Sequence, residues 1–210
     1  MQPISVTVGA VAANDQLVAA SQNVVAAGAL TLAAGAASIA YPAQLVLTTS
    51  ADYTGVNFTV VGTNANGQVQ TEVIAGPNTT TANSVLYYSS VTSITASAGV
   101  VGGAVKVGST GLTSTRWVRF DSFANAVTAI QVDASGTVNF TVQTTMDDPN
   151  DPVSAPAITA VNWVSDANFT SKSATTVGSF TATPTFARVI QNSGTGSATA
   201  RFAQFGNAPY

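Results

Sequence analysis

Along most of the chain, β-branched or aromatic residues alternate with small polar ones, a period of two that sends successive side chains to opposite faces of a strand. In GVNFTVVG, Val56, Phe58 and Val60 share one face while Asn57 and Thr59 take the other. GTVNFTVQ repeats the pattern with Val138, Phe140 and Val142 set against Asn139 and Thr141, and both stretches contain VNFTV, as two related sandwich units would. Turn signals interrupt these runs at short spacing. Asn66-Gly67 predicts a two-residue type I′ hairpin, because both residues tolerate the positive φ that turn requires. Gly76-Pro77, Gly102-Gly103, Gly111 and SGTG at 193–196 break the chain again. Many short strands with frequent breaks predict an all-β protein of two β-sandwich, jelly-roll-like units. Helix signals are confined to the Ala-rich first 40 residues, and there Gly28 and Gly35 interrupt while Leu30 and Leu32 alternate as in a strand.

The small, polar segment GSTGLTST at 108–115 marks the expected boundary: only Lys106 among the basic residues precedes it, and all four Arg follow it. The units are therefore placed at 1–112 and 113–210, each near the ordinary size of a domain. Residues 1–27 carry little periodicity and are read as an arm that orders against a neighbouring chain.

Composition narrows the function. Charged residues make up 7% of the chain, against roughly 25% in an ordinary soluble domain, so the polar surface is built from Thr, Ser, Asn and Gln. Such a surface mates easily with protein. With neither His nor Cys, catalytic triads that use them, zinc sites with N or S ligands, iron–sulfur clusters and disulfides are all excluded. No cofactor is expected. Six basic residues and a net charge of −3 cannot form the phosphate-neutralising patch of a nucleic-acid binder. The mean hydropathy is +0.30 and residues 16–51 carry no charge, but the richest window there, VVAAGALTLAAGAASIA, is mostly Ala and Gly, which drive membrane insertion weakly, so the chain reads as soluble, without a membrane span. MQPISVTVGA lacks the basic start of a secretory signal.

Several stretches hold candidate chemistry. MDDPNDP gathers Asp147, Asp148 and Asp151; it fits a turn leaving a strand, a weak cation site or, least well, a catalytic pair. Calcium loops of the EF-hand type need a central Gly and a terminal Glu that are missing here. Adjacent carboxylates on an extended chain point apart, and the single glutamate, Glu72, lies on a distant hairpin strand, so no enzyme is expected. In RWVRFD, Trp117, Arg119 and Asp121 share one face while Arg116, Val118 and Phe120 share the other. That places an aromatic beside an arginine, the residue types favoured at protein interfaces, although Trp117 could equally cover the junction within its own chain. Trp163, aligned with Val161, is expected in the core, and the strand SATARFAQF presents Ala198, Ala200 and Phe202 on one face and Arg201 and Phe205 on the other, where burial of the strand would account for both phenylalanines. Tyr87, Tyr88 and Tyr210, the last in the tail GNAPY, complete the interface candidates. Tyr41, Tyr53, Tyr87, Tyr88 and Trp117 would serve a glycan-binding alternative.

The stretch FTVVGTNANGQVQTEVIAGPNTTTANSVLYYSSVTSITASAGVVGGAVKVG resembles a segment of tailed-bacteriophage structural proteins: a GTxxxG hairpin, an ExIxGPN turn, a VTSIT strand and a GxVxVG strand. The second half is similar to another phage virion pattern, with Gly136 to Thr144 as its GTVxxTVQxT strand, then Asp147 to Pro149, Pro156 to Trp163 and a closing GTGS hairpin at 194–197. The resemblance spans roughly residues 45–206 and implies a virion protein: capsid decoration, head-attached, neck, tail or fibre. It implies other virion proteins as partners and, together with the β pattern and the low charge, a homo-oligomer; host glycan is the partner of the alternative, glycan-binding reading. Its motifs are strand and turn signatures and carry no catalytic residue.

Overall fold

The computed structural model describes residues 3–120, 127–180 and 182–205. Strand accounts for 56% of the chain and helix for 5%, so the protein is all-β. From the N-terminus the strands are β1 (Ile4–Gly9), β2 (Asn14–Asn23), β3 (Gly28–Ala29), β4 (Ala43–Thr49), β5 (Asn57–Thr63), β6 (Val69–Ala75), β7 (Thr81–Tyr88) and β8 (Ser90–Ala96). They continue as β9 (Ala104–Ser114), β10 (Val118–Arg119), β11 (Val127–Ser135), β12 (Val138–Thr145), β13 (Val164–Ser165), β14 (Thr176–Ser179), β15 (Phe186–Gly194) and β16 (Ser197–Phe205).

Two compact units divide the chain: Val11–Thr113, and Ser114–Tyr210 together with Met1–Ala10. The stretch read as an arm is thus largely strand. Within it, β1 pairs with β16 from Ile4 opposite Phe202 to Gly9 opposite Ser197, and so joins the C-terminal unit. Its alternation, Val6 and Val8 inward, is only two residues deep and too short to stand out in sequence. β2 pairs with β9 through two register irregularities. These bury the neighbours Val18 and Ala19 together and erase the period of two.

In the 11–113 unit one sheet places β4 between β7 and β9, with β2 on the far side of β9; the other runs β3-β8-β5-β6. Phe58 and Val60 from β5, Ile94 from β8, Leu45 and Leu47 from β4 and Val105 and Val107 from β9 are all buried. The alternation therefore has the expected phase. The C-terminal unit sets β1-β16-β11-β14 against β12, which lies between β13 and β15; β10 pairs with the other edge of β15. Val6, Val8, Ile130, Val132, Phe140, Val142, Val189 and Phe202 join one core from both sheets. Burying each of the larger side chains contributes roughly 1.5–3 kcal/mol.

Tight corners carry the chain between sheets in the C-terminal unit. β11 and β12 belong to different sheets, as do β15 and β16, so the GTGS segment forms a corner and not the expected hairpin. The two corners touch: a Cβ on Gly196 would lie 2.1 Å from the Ser135 carbonyl oxygen, and one on Gly194 would lie 2.3 Å from that of Thr137. Only glycine permits that approach. The β5–β6 hairpin is present, but its turn is not type I′. Gly67 N–H donates to the Asn64 carbonyl, and Gly67 has φ 74° while Asn66 does not enter the positive region. Asn64 Oδ1 accepts the N–H groups of Asn66 and Gln68, so its side chain sets the bend.

β6 inverts the usual pattern, with Val69, Thr71 and Val73 exposed and Gln70, Glu72 and Ile74 buried. The inward polar groups bind the backbone of β7 in the opposite sheet. Gln70 Nε2 donates to the Tyr87 carbonyl at 2.8 Å, and Glu72 accepts the N–H groups of Val85 at 2.6 Å and Leu86 at 3.1 Å and the Tyr88 hydroxyl at 3.4 Å. β7 can offer those groups because its pairing with β4 shifts register between Gln44 and Val46, where Ser84 Oγ caps the Leu45 N–H instead. Burial raises the Glu72 carboxyl above its ordinary value despite these donors. A carboxyl raised in the folded state stabilises fully below its unfolded value, near 4.5, and the stabilisation is lost as pH rises through the folded value. Denaturant unfolding from pH 4.5 upward should therefore show this loss in the wild type and a flatter profile in Glu72→Gln; identical profiles would refute it.

Candidate functional site

The candidate residues of the C-terminal unit converge on the outer face of β15. Its inner face gives Ala187 and Val189 to the core, while Phe186 and Arg188 alternate to the outside yet are only 6% and 8% exposed. What covers them is a cluster built from three other segments. Trp117, just before β10, lies edge-on to Trp163 with centroids 4.9 Å apart and to Phe186 at 5.8 Å. Arg188 on β15 stands 4.2 Å over the Trp163 ring and donates from Nε and Nη2 to Gln143 Oε1 on β12 at 3.0 and 2.8 Å. The register that pairs Gln143 with Arg188, and Ser165 with Gln143, brings the three together.

Arg119 lies beside this cluster, its guanidinium 5.8 Å from the Phe186 centroid and 3.0 Å from Asp148 Oδ2. The sequence placed Trp117 and Arg119 on one face, opposite Val118 and Phe120, and the structure does the same. Arg116 is exposed and does not share the buried face with Val118, because the paired strand starts only at Val118. Trp163 is half-buried in this outer cluster instead of sitting in the core, since β13 is two residues long and follows a short 3-10 turn at Ile158–Ala160. Asp121 and Tyr210 lie outside the described residues. Tyr88, expected at an interface, has no exposed surface and bonds to Glu72; Tyr53, the other tyrosine with no exposure, packs on Phe58. Both are corrections with one cause: each tyrosine lies on a strand or turn facing the core of its sandwich, where its hydroxyl finds an acceptor. Tyr87 is half-buried.

The three aspartates of MDDPNDP shape a bend. Asp147 Oδ2 accepts the Asn162 N–H at 2.7 Å, tying the bend to the segment that leads to Trp163. Asp148 Oδ1 accepts the Asn150 N–H at 2.8 Å, while Asp151 Oδ1 accepts those of Val153 at 2.7 Å and Ser154 at 3.1 Å. The last two donors hold the Asp151 carboxyl below its ordinary value. A general acid needs the opposite displacement. The bend, Arg119 and Ser154 border a polar cleft of about 460 Å³. Among the described residues no three acidic, His or Cys side chains gather to hold a metal ion.

Comparison with protein families, curated proteins and solved structures returns no match. Sequence reasoning found the aromatic–arginine face but missed Arg188, Gln143 and Phe186, which lie far away in sequence and have no motif. It also missed the inward role of Glu72, since an acid within an alternating strand reads as solvent-facing.

Both tryptophans belong to this cluster, so tryptophan fluorescence follows the C-terminal unit. Trp163→Ala uncovers Arg188 and should cost about 2 kcal/mol, read as a lower denaturant midpoint with unchanged slope in the Trp117 signal. Because each carboxylate of the bend is engaged by N–H or guanidinium donors, melting curves in EDTA and in millimolar calcium should superimpose; a calcium-dependent rise would assign the bend to a cation.

Proposed function

We propose that this chain is a non-enzymatic structural component of a tailed-phage virion, a capsid decoration or head-attached protein that binds the particle through protein–protein contacts. One observation carries the reading. The whole 11–113 unit contains four charged residues, Asp15, Asp52, Glu72 and Lys106; Asp15 pairs with Lys106 and Glu72 is buried, leaving Asp52 as the lone exposed, unpaired ionic group. Isolated domains stay dispersed through charge of one sign or many interspersed charges. A surface this neutral, carrying Val25 at 63% and Val101 at 89% exposure, suits lasting contact with other protein.

The resemblance to phage structural proteins supports the same reading. Its motifs fall on the β5–β6 hairpin, β8, β9, β12 and the bend after β12, the parts that order a sandwich. A glycan-binding role is weaker, because Tyr53 and Tyr88 are buried and the Trp117 and Trp163 rings are turned on each other and on Arg188.

Sedimentation with separately purified capsids and tails of the encoding phage tests the proposal. Pelleting with capsids, and detection of the chain in purified virions by mass spectrometry, is the expected result. Pelleting with tails alone would move the protein to the tail or neck, and absence from virions would end the virion reading.

A further inference from the structure

β6 ends its sheet. In the order β3-β8-β5-β6 the opposite edge is closed by two-residue β3, whereas β6 offers seven residues paired to β5 in one unbroken register. Sheet edges are commonly guarded by proline, outward lysine, a bulge or an inward-pointing charge. β6 lacks the first three, and its inward charge, Glu72, is held by the Val85 and Leu86 N–H groups of β7, so a strand joining the edge does not strip it of its donors.

The phase of the ladder shows which backbone groups reach the open edge. Gly76 N–H donates to the Val56 carbonyl at 2.8 Å and Asn64 N–H to the Gln68 carbonyl at 2.9 Å, so pairs of even-numbered residues exchange the bonds between β5 and β6. The odd-numbered residues of β5 turn to β8, as the Ser97 N–H bond to the Asn57 carbonyl confirms. By the same alternation, the N–H and carbonyl groups of Val69, Thr71, Val73 and Ala75 point away from β5. Val69 and Val73 are also the exposed apolar side chains, at 75% and 58%.

We infer that β6 pairs antiparallel with β6 of a second copy of this chain, across a two-fold axis through Thr71. That centre sets Val69 opposite the other copy's Val73, Thr71 opposite its equivalent, and Val73 opposite Val69. Each is a hydrogen-bonded pair exchanging two bonds, and every facing side chain is β-branched, a favourable cross-strand match. Other registers are poorer. Setting odd-numbered residues opposite even-numbered ones aims β6 groups already bonded to β5 at the partner. Centring on Glu72 keeps the outward groups paired but sets the two Glu72 residues directly opposite each other in a close, non-hydrogen-bonded pair, where like charges destabilise, and centring on Gln70 runs Val73 into the Asn64–Gly67 turn. Centring on Val73 sets Val69 against Pro77, which has no N–H, and centring on Val69 runs Thr71 and Val73 into the Asn64–Gly67 turn. The scarcity of charge in the 11–113 unit removes the repulsion that would otherwise separate identical surfaces. This pairing is isologous and closes on itself. It does not depend on the virion reading.

Analytical ultracentrifugation of the full chain over a range of concentrations is the first test, with a dimer or an even-numbered assembly expected. The Thr71→Pro variant removes an N–H that points away from β5, so the internal ladder survives; it should keep its β circular dichroism and dimerise about 10-fold or more weakly. Since the chain contains no cysteine, Thr71→Cys gives each copy a single thiol, and facing Cα atoms would stand roughly 5.5 Å apart. A short bis-maleimide should cross-link that variant and leave Val101→Cys, at a site 89% exposed, uncoupled. A monomeric wild type, undiminished self-association in Thr71→Pro, or equal cross-linking of both cysteine variants would overturn the inference. Pairing of β6 only with a different virion protein would appear as a monomeric wild type and overturn it equally.

Discussion

With no cysteine in the chain, each unit depends on one constraint: two antiparallel sheets must cover each other's apolar faces, and the period-two pattern supplies those faces. In the C-terminal unit Phe140 and Val142 meet Ile130, Val132 and Phe202 in a single core. In the 11–113 unit Phe58 and Val60 hold the corresponding place on β5. A face-to-face sandwich leaves its rims and outer faces to be dealt with separately. Most of the distinctive features of this protein occur there.

At one rim the chain passes between sheets twice, side by side, and the glycines at 194 and 196 are needed because backbone from the adjoining corner occupies the space of a Cβ. At another, Glu72 reaches from β6 to the N–H groups of Val85 and Leu86, where the β4–β7 pairing is irregular, and Gln70 donates to the Tyr87 carbonyl. A hydrogen-bonded carboxylate without a nearby cation is a costly way to join two sheets, since its desolvation is only partly offset by its donors. The same orientation turns the valines of β6 outward. The polar seam and the apolar edge are thus two sides of one strand.

The outer face of β15 is covered differently. Phe186 and Arg188 are roofed by two tryptophans that meet edge to face, with the arginine held between an aromatic ring and a side-chain amide. An aromatic–arginine pair that resembles an interface in sequence is largely spent within its own unit. Exposed contact potential lies instead on the charge-poor surface of the 11–113 unit, where assembly with other protein is proposed.

The sequence by itself determined the strand faces, the all-β class and the bend at Asp147–Asp151, because side-chain alternation and Asx turns are local consequences of backbone geometry. It did not reveal β1 or β2: the first has only two inward residues, and the second is irregular in register. Nor could it distinguish a corner from a hairpin at 194–197, since both need a short glycine-bearing link and differ only in which sheet receives the next strand. Whether Glu72 and Tyr88 face water or each other was likewise decided by tertiary structure. Alternation assigns residues to two faces of a strand, but only the packing of sheet on sheet determines which face is inside.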